Sequence, residues 1–69
     1  MCLSIPAKII SINKTSAKVI DYLDKEKKVI IATVPNAKKD DWILINANLA
    51  LQKISNEDAQ NIIKLLKQK

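Results

Sequence analysis

Residues 42–67 read WILINANLALQKISNEDAQNIIKLLK, and the spacing of the apolar side chains changes along them. Residues 42–45 and 49–54 are short apolar segments, predicted as strands. After Ser55 the spacing is helical: Ala59, Ile62, Ile63 and Leu66 form one apolar stripe. Ser55 is a good N-cap, and Asp58, three residues on, resembles a capping box. Glu57 and Asp58 lie at the positive end of the helix dipole, and Lys64, Lys67 and Lys69 at the negative end. A helix is therefore predicted over 56–68, with its stripe packed on β-structure.

Upstream, the chain is a series of short strand-like runs. Residues 5–12 are rich in isoleucine, with Pro6 near the start, a place where an edge strand tolerates proline. Residues 13–16 read as a turn. Over 17–22 Val19 faces one way, and Ile20 and Tyr22 the other. Residues 24–26 form a charged turn, 28–34 a β-branched strand and 35–40 a loop. Five strands and then one helix predict a mainly β fold in a single domain over 1–69. The strands, about 1–54, close or nearly close into a small barrel, which removes exposed sheet edges. The chain has no glycine, so asparagine is the natural residue for left-handed turns. Asn13, Asn36, Asn46 and Asn48 sit near predicted turns or strand ends, and at least one is expected to have positive φ.

Inventory removes several function classes. A 69-residue chain has no room for a second domain or a large cleft. One cysteine allows no internal disulfide, and one cysteine without histidine cannot close a zinc site. Lacking histidine, the chain also lacks the commonest general base, so the four serines 4, 11, 16 and 55 have no histidine to activate them. Without glycine there is no Gly-rich phosphate loop. Asp40 and Asp41 are neighbours expected to point apart and to serve as solvated loop residues. The reading is a non-enzyme. Lys8 interrupts the only stretch that resembles a leader, and no apolar run is long enough to cross a bilayer, so a cytoplasmic protein without membrane association is expected.

Two features carry chemistry. Cys2 is a soft nucleophile and metal ligand. Removal of Met1, which a small second residue permits, would set an α-amine titrating at about 8 beside the thiol. That is half of a metal site, and the same cysteine also reads as a small buried hydrophobe. The second feature is charge. Twelve lysines against seven acids give +5, with no arginine. Lysines favour solubility and weak attraction to polyanions. Nucleic-acid readers, however, use aromatic platforms and arginine forks, and only Tyr22 and Trp42 are present, on separate segments. Trp42 is expected in the core or an interface.

The opening Met1-Cys2-Leu3-Ser4-Ile5-Pro6-Ala7-Lys8-Ile9 resembles the start of the HypC/HupF family of hydrogenase maturation chaperones, M-C-[LI]-[AG]-[IV]-P-G-[KQ]-[IV]. Residues 41–51, DWILINANLAL, resemble that family's G-D-[YW]-V-L-V-H-V-G-F-A block, and Ile54, Ser55 and Ala59 match its helix start. The resemblance covers the whole chain in the same order. It implies an OB-like β-barrel with a C-terminal helix.

The same resemblance implies a chaperone for [NiFe]-hydrogenase. Such a chaperone is expected to escort an iron centre bearing cyanide and carbonyl ligands, Fe(CN)2(CO), from HypD to the large-subunit precursor. Cys2 is implied as a transient iron ligand shared with a partner, and no cofactor is permanently bound. Cys2, Leu3, Ile5 and Pro6, with Met1 if retained, are expected to form the partner contact. One thiolate suits a carrier, since a closed cage would trap the metal. The family histidine aligns with Asn46, which can hydrogen-bond but not titrate. Family glycines align with Ala7, Asp40 and Asn48; Asn48 is the expected left-handed substitute, and Ala7 is a poor one. The alternatives are a paralogue that docks without cargo and an OB-like module for RNA or single-stranded DNA.

Overall fold

The computed structural model describes residues 4–68. Met1, Cys2 and Leu3 lie outside the described residues. The elements are β1 (Ile5–Asn13), β2 (Ser16–Asp21), β3 (Glu26–Ile30), β4 (Trp42–Asn46), β5 (Leu49–Ile54) and α1 (Asn56–Lys67). The strands close into a barrel in the order β1-β2-β3-β5-β4. All neighbours are antiparallel except β3 and β5, which meet in parallel at Ile30 and Leu49.

Period-2 alternation fills the barrel. Ala7 and Ile9 of β1, Ala17 and Val19 of β2, Val29 of β3, Ile43 and Ile45 of β4 and Ala50 of β5 all point inward and are buried. Alanine alternates with larger residues along β1 and β2, which suits the taper of a small barrel. Each fully buried isoleucine or valine contributes roughly 1.5–3 kcal/mol of transfer free energy. Val19 of β2 is buried while Ile20 and Tyr22, the latter just past the strand, are only partly covered, as the alternation predicts.

The predicted third strand needs correction. β3 begins at Glu26 and ends at Ile30. Beyond it the Ile31 N–H donates to the Thr15 carbonyl, and the chain turns twice, Val34 N–H to Ile31 and Ala37 N–H to Val34. Ile31, Val34 and Ala37 recur every third residue and all join the core. The β-branched run therefore plugs one end of the barrel instead of extending the sheet. The Thr33 hydroxyl donates to the Ala50 carbonyl at 2.8 Å and ties this plug to β5.

Pro6 is not on an edge strand, because β1 lies between β2 and β4. Its missing N–H is tolerated for another reason. Pro6 pairs with Leu44 of β4, but pairing with β2 starts only at Ala7. Pro6 alternates with the inward-facing Ile5 and Ala7, so it faces outward, yet it is fully buried. Helix α1 packs across β1 and β4 on that side. The helix starts as predicted, with the Asp58 N–H donating to Ser55 Oγ at 3.0 Å. Ala59 is buried and Ile62 and Ile63 are half-buried, but the stripe does not reach Leu66, which is exposed.

No asparagine takes the left-handed turns. Positive φ occurs at Lys14, Asp24, Asp40 and Ala47. In both tight hairpins the asparagine, Asn13 or Asn46, ends the strand, and the next residue turns left-handed. Asp40, the position that the resemblance aligns with a glycine, is left-handed at φ 72° without one. Ala7 is extended in β1 and buried, so no left-handed demand exists there.

Candidate functional site

The site is the end of the barrel where β1 begins. Ile5 lies opposite Ile45, the residue before Asn46. On the other flank Ala7 lies opposite Asp21, the last residue of β2. The chain before Ile5 therefore joins the barrel flanked by the β4–β5 turn, Ala47 and Asn48, and by the β2–β3 hairpin. Asn46 is half-buried at the end of β4.

The β2–β3 hairpin is built around Asp21. Its Oδ1 accepts the N–H of Leu23 at 2.9 Å and that of Lys25 at 3.0 Å. Its Oδ2 lies 3.4 Å from Lys27 Nζ. The backbone adds Asp24 N–H to the Asp21 carbonyl and Asp21 N–H to the Lys25 carbonyl, both at 3.0 Å. Burial alone would raise the Asp21 carboxyl pKa. The two N–H donors and the Lys27 ammonium outweigh burial and hold it below its ordinary value. One carboxylate thus fixes a four-residue loop and leaves Leu23 54% exposed at its tip.

Of the sequence-derived site residues, Cys2 and Leu3 lie outside the described residues. Ile5 and Asn46 are brought together through the Ile5–Ile45 pair. Ile5 is half-buried against the core, and Pro6 is buried under the helix side, so both anchor the base of the segment. Asp21 and Leu23 were not singled out from sequence. The signal was local: an aspartate two residues before an apolar residue in a turn forms an Asx-type bond.

Asp40 and Asp41 hold the opposite rim. Ile9 donates to the Asp41 carbonyl and accepts from the Asp40 N–H, both at 2.9 Å. Asp41 Oδ2 accepts the Lys38 N–H at 2.9 Å and pairs with Lys53 Nζ at 3.2 Å. Asp41 is therefore structural and not merely solvated. Among the described residues no cluster of three carboxylate, thiol or imidazole groups could hold a metal. No helix among them is long and apolar enough to cross a membrane.

This barrel matches known proteins along nearly its full length. Over 65 residues the chain is 28% identical to a protein of Cupriavidus necator named Hydrogenase maturation factor HypC, covering 94% of this chain and 72% of that one. A protein of the same name from Helicobacter hepaticus is 28% identical over 69 residues, covering 99% of this chain and 80% of the other. The HupF/HypC family model matches residues 1–66. With the five-stranded barrel, the single helix and a match that includes Cys2 and Asn46, this chain belongs to the HupF/HypC family.

Proposed function

We propose that this chain is a cytoplasmic, non-enzymatic chaperone of [NiFe]-hydrogenase maturation. It receives an iron centre with cyanide and carbonyl ligands at HypD and releases it to the large-subunit precursor. Cys2 supplies one thiolate to that cargo and leaves the other positions to ligands and partner. The observation that carries this reading is the Ile5–Ile45 pair, which joins the segment after Cys2 to the barrel beside Asn46. Low-spin iron with strong-field ligands is a soft acceptor, for which a thiolate is the fitting donor. Leu23, exposed on a hairpin that Asp21 rigidifies, supplies an apolar anchor of the kind that dominates such interfaces.

Asn46 favours a second reading, docking without cargo, because an amide cannot relay protons around the iron. An anaerobic pull-down from the native host, with a C-terminal tag and a free N-terminus, separates the two. Partners are identified by mass spectrometry, and the infrared spectrum is recorded for wild type and Cys2→Ala. HypD or the large subunit with cyanide and carbonyl bands, the bands lost in Cys2→Ala, supports the carrier. Partners without bands supports the docking paralogue. Recovery of nucleic acid with neither partner would sink both.

A further inference from the structure

The outer face of β1–β3 carries a basic groove far from the N-terminal site. Ser11 lies opposite Lys18, and Lys18 opposite Lys28. The next row is Asn13, Ser16 and Ile30. Ser11, Asn13, Ser16, Lys18 and Lys28 line an open groove of about 250 Å³ with no carboxylate in its wall. Like charges placed directly opposite destabilise an antiparallel pair. Glu26 offsets little of this: it lies 3.8 Å from Lys18, and the two side chains are 58% and 62% exposed. Among the described residues no carboxylate pairs with Lys28. The lysine pair therefore does little for the fold.

The groove offers donors: two ammonium groups, the Ser11 hydroxyl and the Asn13 amide, while the Ser16 hydroxyl already donates to the Asn13 carbonyl at 3.1 Å. Beside Ser16 lies an apolar ledge, Ile30 and Leu49, respectively 44% and 40% exposed and paired across the barrel seam. Groove and ledge contain no aromatic ring on which a base could stack.

We infer that this face docks an acidic segment of a protein partner, its carboxylates on Lys18 and Lys28 and an aliphatic side chain on the Ile30–Leu49 ledge. The inference rests on the chaperone reading for the existence of such a partner. The groove lies toward the Asn13 end of β1 and the N-terminal site at the Ile5 end, so a partner holding both grips the barrel at two points.

The test is a nuclear magnetic resonance titration of the whole chain with a synthetic Glu-Glu-Leu-Glu-Glu peptide, repeated with oligothymidylate. The expected shifts centre on Ser11, Lys18, Lys28 and Ile30. Lys28→Glu is expected to weaken peptide binding by roughly tenfold and to melt no lower than wild type, since it turns a repulsive pair into an attractive one. The uncharged Lys28→Gln should weaken binding less, also without loss of stability. Cys2→Ala should bind the peptide as wild type does. Undiminished binding by Lys28→Glu, shifts spread evenly over the other lysines, or a stronger response to oligothymidylate would each overturn the inference. Peptide mapping to the groove while neither HypD nor the large subunit co-purifies would retire the chaperone reading and leave the groove standing.

Discussion

Ile5 lies directly opposite Ile45 in the β1–β4 ladder, so the chain joins the barrel one residue from Asn46. This single pairing brings two positions forty-one residues apart, Ile5 and Asn46, to the same end of the barrel. Ile45 is buried in the core, and a one-residue slip would turn its neighbours inside out, so the register is strongly fixed. The position of Asn46 relative to the base of the N-terminal segment is thereby set by core packing.

Asn46 holds the same charge at every pH. Asn46→His introduces a group that titrates at about 6.5. The variant is expected to fold normally, because position 46 is only half-buried. Partner recovery should become pH-dependent between roughly pH 5.5 and 7.5 in the variant and stay flat in wild type. Pull-downs across that range check it; a flat variant would separate Asn46 from the docking surface.

Leu23 is exposed while its N–H is fixed to Asp21. Leu23→Ser keeps that backbone bond and removes only the apolar tip. Stability should change by no more than about 0.5 kcal/mol. Under the proposed docking to HypD, affinity for it should fall roughly tenfold, as for an interface anchor. A thermal melt and a binding isotherm on the same preparation separate the two effects.

Asp21 gives the fold a defined acid limit. Its carboxyl has a folded pKa below the unfolded value of about 3.9. Its stabilising contribution is therefore complete above that value and is lost as pH falls through the folded pKa. Asp21→Asn retains an oxygen for the Leu23 and Lys25 N–H groups but carries no charge. Its stability should vary less than that of wild type below about pH 4. Asp21→Ala leaves both N–H groups without their acceptor and should cost about 2–4 kcal/mol in urea unfolding at neutral pH.

The readable parts of this fold were those that depend on local period. The β5 and α1 segments could be read because a short apolar run gives way to a helical stripe at Ser55, and the cap itself forms. The run from Val29 to Val34 misled because β-branching reports burial as much as extension. Ile31 and Val34 are buried by closing the barrel, which the window around them does not encode. The roles of Cys2 and Asn46 were picked out by the family resemblance alone. Asp21 carried a local signal, an aspartate opening a turn, but its weight depends on burial, which comes from where β2 ends against Ala7.

Glycine substitutions at two alanines should act in opposite directions. Ala47 sits at φ 57°, where a Cβ costs roughly 1–2 kcal/mol. Ala47→Gly removes that strain but frees the unfolded chain, for a net gain of about 0.5–1 kcal/mol. In a domain of this size the melting temperature should rise by roughly 2–8 °C. Ala7 is extended and fully buried, opposite Ile43 on one side and Asp21 on the other. Ala7→Gly, although it restores the family residue, removes a core methyl and adds chain entropy, and should cost about 1–2 kcal/mol. Asn48→Gly should gain nothing through relief of strain, because the left-handed residue of that turn is Ala47. Thermal melts of the three variants decide the point. Stabilisation by Asn48→Gly but not by Ala47→Gly would mean that the turn follows the family alignment instead of the backbone geometry, and stabilisation by Ala7→Gly would overturn the core role of its methyl.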